Sequence, residues 1–305
     1  MSLQSRISDF DIITNRFACQ RPGKLVCAHQ PTPDLWERLR VAAALYLSKC
    51  LPGNRVILDD AELIRAFETE RSNIRNITPN GMIVPKRHTI LEYNALARAF
   101  ADIISALNIR DMIHSWHPIN LRIKYAELDP ANLERPLASE RIHSDSWAGD
   151  SSESANVFVP LFGDTDRNCV TLYDPPYEFE ESWLNCLPRY TDGQAIAEQY
   201  TKLDFVIGKG QIGIVDFATL HASTRLPGAG TRISLDTSFH VNRARGGGDF
   251  GLIHADRLEE YLAPEVLAGL GETHLFLFPD TVDQRRPNTS GYRHPANLHV
   301  VELLK

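Results

Sequence analysis

Between residues 115 and 242 the chain is built of short strand-like runs cut by turn formers, and this texture constrains the fold more than any other feature. The runs are INLRIKYAEL (119–128), ANVFVPLF (155–162), NCVTLY (168–173), QIGIVDF (211–217) and TRISLDTSFHV (231–241), with Gly, Pro, Asp and Asn between them. Runs rich in β-branched and aromatic residues and bounded by such punctuation read as strands. They do not alternate regularly with helices, as a parallel sheet would require. The expected core is therefore a sandwich or jelly roll. DGQAIAEQYTKL (192–203) reads as a helical insertion.

The flanks read differently. TPDLWERLRVAAALYLSKCLPG carries Leu35, Leu39, Ala43 and Leu47 near helical spacing, with Asp34 as cap and Pro52-Gly53 as stop. LDDAELIRAFETERSN predicts a second helix starting at Asp59 or Asp60. TILEYNALARAFADIISALNI predicts a third, with Leu91, Leu96, Phe100, Ile103 and Leu107 on its apolar stripe. NITPNGMIVPK is a turn-rich connection between the last two. HADRLEEYLAPEVLAGLG (254–271) predicts two short helices, and the stretch 280–299 is polar and irregular. The expectation is one domain over 1–305: a mainly helical part (1–114), a jelly-roll core (115–245), then C-terminal helices and a tail (246–305).

Bulk properties exclude several functions. The net charge is −7 and no Lys/Arg block forms a phosphate-tracking surface, so nucleic acid is not expected as a partner. The longest apolar run, VAAALYL, is too short to span a bilayer, and the first residues lack the apolar stretch of a signal peptide. No membrane association is expected. The 5 cysteines are scattered without a CxxC pair, which argues against a disulfide framework or a cysteine zinc site and suggests a reducing, cytoplasmic setting.

The chemistry concentrates in ERIHSDSWAGD (140–150). On a strand, residues two apart share a face, so His143 and Asp145 would present an imidazole and a carboxylate side by side. A third ligand is offered far downstream by His221, directly after the apolar GIVDFAT. Two histidines and one carboxylate leave coordination positions open on non-haem Fe(II). Arg232 opens the next strand-like run, followed by Ser234.

His143-Ser-Asp145, His221, Arg232 and Ser234 together resemble the Fe(II)/2-oxoglutarate-dependent dioxygenases, in particular their phytanoyl-CoA-hydroxylase-like branch. The match covers about residues 115–242. The resemblance implies a double-stranded β-helix of the cupin-like, jelly-roll kind with the metal at its mouth. It implies that His143, Asp145 and His221 hold Fe(II), that Arg232 pairs with the distal carboxylate of 2-oxoglutarate, and that O2 and 2-oxoglutarate are consumed to give succinate, CO2 and an oxidised substrate. A planar guanidinium suits a carboxylate because it offers two parallel donors. Halogenases of this kind lack the carboxylate ligand, so the presence of Asp145 favours hydroxylation or another oxidation. The sequence departs from the branch at NCVTLYDPPYEFEESW, where a proline-glycine-serine-histidine stretch is common, and Arg225 rivals Arg232 for the cosubstrate.

Other residues carry two readings. Lys124 and Arg122 share a strand face and would bind cosubstrate or an anionic substrate, or be solvated charges on an outer strand. Asn156 and Thr171 fall on predicted inner strands and would touch 2-oxoglutarate, or be satisfied core groups. Trp147 lines the pocket or simply packs. His114 and His117 are structural, and Asp216 belongs to a turn or barrel rim. The stretch 283–298 either closes over substrate, sits at a homodimer contact or is a surface loop. The function expected is oxidation of a small polar metabolite such as an amino acid or amino sugar, in natural-product biosynthesis. A zinc hydrolase on the same three ligands and a non-catalytic cupin-like binding protein are the alternatives.

Overall fold

The computed structural model describes residues 2–53, 55–74, 77–78, 80–241, 274–277 and 299–302. Its centre is two facing antiparallel sheets. The strands of the first part of the chain are β1 (Gln20–Gly23), β2 (Val26–His29), β3 (Met82–Ile83), β4 (Ile113–Trp116) and β5 (Asn120–Lys124). Then come β6 (Ser154–Gly163), β7 (Asn168–Asp174), β8 (Thr201–Lys202), β9 (Ile212–Asp216), β10 (Leu220–Arg225) and β11 (Arg232–Val241). The large sheet runs β1-β2-β9-β6-β11-β5-β3, with β4 also on β11, and the small sheet runs β10-β7-β8. His143 bridges to His221, and the amide of Ser223 donates to Ser139, so the 139–143 segment extends the small sheet beyond β10. From β5 onward the chain passes from one sheet to the other: β5, the 139–143 segment, β6, then β7 and β8, then β9, β10 and β11. This is a double-stranded β-helix, as the resemblance implied.

Each expected run contains a strand, and two features explain the deviations. The 140–146 stretch is not a regular strand; only its first half pairs, and Asp145 opens a 3-10 turn (Asp145–Ala148) capped by Ser144. Pro160 stands inside β6, where a missing N–H would ordinarily break a ladder. The pairing of β6 with β9 ends at Phe158, and the pairing with β11 skips Leu161 between Ser234 and Ile233. Pro160 itself stands opposite Ser234 on β11, next to the bulge and beyond the end of the β9 ladder, where a missing amide is tolerated.

The helices are α1 (Leu3–Thr14), α2 (Pro33–Cys50), α3 (Asp60–Thr69) and α4 (Ile90–Ala106). The α2 start is set by Pro33 at the first helical position after Thr32; Asp34 lies in the first turn instead of capping it. Asp59 caps α3 by accepting from the Glu62 amide at 2.8 Å. On α4 the buried stripe is Tyr93, Leu96, Ala97, Phe100, Ile103 and Ile104, while Leu91 falls on the outer face and is 72% exposed. These stripes and the outward side chains of the large sheet, among them Val157, Val159, Ile233 and Leu235, belong to one apolar core. The inward side chains of β6 and β11, by contrast, include Asn156, Ser234, Asp236 and Ser238. Alternation along the strand thus separates a packed face from a polar, pocket-forming one.

The first 114 residues are less purely helical than expected, since they supply β1, β2 and β3 to the large sheet. Gly81 holds the last of these in place. Its φ of +82° suits glycine, and its carbonyl accepts from the Ile123 amide at 2.7 Å. The 192–203 insertion contains a single helical turn, Gln194–Ala197. The helices expected over 254–271 and the stretch 283–298 lie outside the described residues. Outside those ranges, β12 (His274–Leu277) and β13 (His299–Glu302) pair antiparallel.

Candidate metal centre

His143 and His221 are brought together by backbone pairing. The His143 amide donates to the His221 carbonyl at 3.0 Å, and the His221 amide donates back at 2.8 Å. A pair that exchanges both bonds projects both side chains to one face. The 3-10 turn then swings Asp145 beneath them. Its Oδ1 lies 3.6 Å from His143 Nε2 and its Oδ2 3.9 Å from His221 Nε2. One ligand atom from each of the three lies within 4.8 Å of the others.

The donor set fits a divalent cation in its details. His143 Nδ1 is 2.7 Å from the Arg141 carbonyl, which can only accept, so the proton sits on Nδ1 and the Nε2 lone pair faces Asp145. Tyr190 stacks on the His143 ring at 4.1 Å, and Phe158 packs against His221 at 5.2 Å. Burial, then the neighbouring His143, pull the His221 imidazole down to about 3, which keeps it neutral and able to ligate. Burial would raise the Asp145 carboxyl, but His221, His143 and a hydrogen bond from Asn156 outweigh it and hold the group well below the usual carboxylate range. Asn156 thus holds the Asp145 carboxylate and is not a bystander in the core.

The three residues line a cavity of about 200 Å³ that also takes in Arg232, Ser234, Phe158 and Val170. Arg232 is 2% exposed, its Nε has no hydrogen-bond partner, and among the described residues its guanidinium forms no ion pair. Burial pulls it down to about 10, still charged near neutral pH. A buried cation without a counter-charge is costly. Arg225, the rival, is committed elsewhere: its Nε donates to the Tyr125 carbonyl at 2.9 Å, and its Nη1 lies 3.5 Å from Glu140.

Other expected residues fall in different places. Lys124 is buried, not solvated, and its ammonium donates to Ser139 Oγ at 2.7 Å and Glu140 Oε1 at 3.0 Å. Arg122 lines the cavity and is clamped by Asp236 at 2.7 and 3.0 Å. Thr171 is paired with Ala222, on the opposite face of the small sheet from His221 and Ser223, and its hydroxyl meets Thr224 at 2.7 Å. The expectation that it touches cosubstrate is not met, because an odd-even shift along a strand reverses the face. Trp147 is fully buried and donates to the Trp183 carbonyl, a packing role. His117, expected to be structural, lines the cavity. Tyr190 had no signal in the sequence, since a short 3-10 turn (Tyr190–Gly193) far along the chain carries it to His143.

No protein-family model matches the chain, and no curated protein matches it. Several solved structures share its arrangement at low identity. AviO1 from Streptomyces viridochromogenes Tue57 is 14% identical, with 79% of this chain and 97% of that one covered, at a TM-score of 0.43. The non-heme alpha ketoglutarate dependent epimerase SnoN from nogalamycin biosynthesis is 14% identical over 68% of this chain and 83% of its own, at 0.37. EctD from S. alaskensis is 14% identical over 77% and 90%, at 0.33. No helix among the described residues is long and apolar enough to cross a membrane.

Proposed function

We propose that this chain is an Fe(II)- and 2-oxoglutarate-dependent oxygenase that oxidises a small polar metabolite. The observation that carries the reading is Arg232: a buried guanidinium that forms no ion pair among the described residues, in the same cavity as two histidines and a carboxylate. A zinc hydrolase using those ligands would leave this charge uncompensated, whereas a dicarboxylate cosubstrate offers it a partner.

His143, Asp145 and His221 would hold the iron, leaving positions open towards the cavity. Bound together, iron, 2-oxoglutarate and O2 supply the oxidising power, with succinate and CO2 as by-products. The protein supplies orientation. Arg232 offers two parallel donors to the far carboxylate, and Ser234, two residues along the same strand face, adds a hydroxyl. Asn156 fixes the Asp145 carboxylate, and the Arg141 carbonyl fixes the His143 ring. On the substrate side Asn80, Asn120, Arg122, Arg135 and Ser238 line the wall, a set that favours a substrate rich in hydrogen-bonding groups, such as an amino acid or amino sugar.

The test is an anaerobic titration of the apoprotein with Fe(II) and 2-oxoglutarate, watching for a visible metal-to-ligand charge-transfer band. A band that is lost in His143→Ala and needs far more cosubstrate in Arg232→Ala supports the reading. Folded, metal-loaded protein without a band overturns it, and zinc content with hydrolytic turnover would put the hydrolase in its place.

A further inference from the structure

A heavily bonded buried charge lies outside the cavity. Arg6, on α1, is 0% exposed. Its Nη1 donates to Asp216 Oδ1 at 2.7 Å, its Nη2 to the Ser152 carbonyl at 2.9 Å, and its Nε to Glu181 Oε2 at 3.0 Å; Nη2 also bonds Glu181 Oε1. Glu181 stays partly exposed, but Asp216 is itself buried. All three nitrogens of the fork thus donate, although nothing in the proposed chemistry calls for Arg6.

What Asp216 holds gives the network its meaning. It ends β9, and its Oδ1 also accepts from the Ala218 amide at 2.8 Å, while its carbonyl accepts from the Thr219 amide at 2.9 Å. These bonds close the tight turn 216–219 that leads straight into His221. Within that turn the Phe217 carbonyl accepts from Ser144 Oγ at 2.8 Å. Ser144 stands between His143 and Asp145, and its Oγ also accepts from the Ser146 amide at 3.3 Å, capping the turn that presents Asp145. A continuous hydrogen-bonded path therefore runs from α1 to both segments that carry the metal residues.

We infer that Arg6 is a positioning residue: through Asp216 and the 216–219 turn it fixes the spacing between His221 and the His143–Asp145 segment. The inference rests on the metal-site reading above. It gives the N-terminal helix a role in the centre although it contributes no ligand. Groups that orient metal ligands from behind typically cost 10- to 100-fold in metal affinity when removed.

The experiment uses Co(II) alone as the probe, since its visible spectrum reads coordination geometry and needs neither cosubstrate nor turnover. Arg6→Ala is compared with Phe10→Ala, which removes a buried apolar side chain from the same helix, and with Ser144→Ala, which cuts the path at its far end. The expected result is a roughly 10-fold or greater loss of Co(II) affinity and an altered spectrum in Arg6→Ala and Ser144→Ala. Phe10→Ala should lower Tm without moving either. Millimolar guanidinium should restore part of the affinity of Arg6→Ala. If Arg6→Ala fails to fold, Asp216→Asn takes its place, with the same expected loss. Unchanged affinity in the network variants, or a loss in all variants that tracks only their Tm, overturns the role of Arg6. Failure of the parent chain to bind Co(II) would instead remove the metal site itself, and this role with it.

Discussion

Arg232 illustrates how one residue can be poor for stability and good for binding. Among the described residues its buried charge forms no ion pair, so Arg232→Met should leave the apoprotein at least as stable, and by up to about 4 kcal/mol more so, judging from buried charges replaced by apolar groups of similar size. The same change should weaken 2-oxoglutarate binding roughly 10- to 100-fold, the worth of a lost charged hydrogen bond of about 1.5–3 kcal/mol. Thermal melts and cosubstrate titrations of the two proteins check this; a destabilised Arg232→Met apoprotein would mean that the guanidinium is satisfied after all. Lys124 makes a different prediction. Burial pulls its ammonium down to about 7 from an ordinary 10.5, against the pull of Glu140. The folded state then binds this proton less tightly than the unfolded chain. Between about pH 7 and 10.5 the unfolded state carries more protons, so this group makes stability rise with pH. Lys124→Met should flatten that rise, and equal slopes in the two proteins would refute the assignment.

At the scale of elements, the site depends on joints more than on strands. β11 was legible because TRISLDTSFHV alternates, and its inward residues, Arg232, Ser234 and Asp236, do line the cavity. The 140–146 stretch is half bridge, half 3-10 turn, and the shared face of His143 and Asp145 comes from that turn and not from a continuous strand. No periodicity could reveal this, because a single bridge to His221 is a long-range contact. The loop that carries Asn80 to the substrate side depends similarly on Gly81. A Cβ there would lie 2.0 Å from the Ile123 carbonyl oxygen, and the positive φ disfavours any other residue. Gly81→Ala should cost about 1–3 kcal/mol and displace Asn80. Its KM for substrate should rise while Fe(II) binding stays unchanged, a split measurable by steady-state kinetics beside metal titration. A fall in metal affinity equal to the rise in KM would show that the loop supports the whole centre.

For the whole molecule, one apolar core joins the helices of the first hundred residues to the outer face of the large sheet, so helices and site should be lost together. Far-ultraviolet and near-ultraviolet melts should coincide. Saturating Fe(II) with 2-oxoglutarate at 100-fold over Kd should add about 2.7 kcal/mol of stability, absent in His143→Ala. Two separated transitions would show that the helices fold apart from the site. By itself the sequence determined the β core, three of the helices and the candidate metal trio, since these rest on local periodicity and on residue types with few alternative uses. Only the tertiary structure decided the rest. It turned Thr171 away from the cavity, engaged Lys124 and Arg225 with Glu140, left Arg232 without an ion pair among the described residues, and ran Arg6 through Asp216 to the segments of His143 and His221. Each of these outcomes depends on which distant groups share a buried space, where a charge must find its partner or go without. That is a property of packing, which no spacing along the chain encodes.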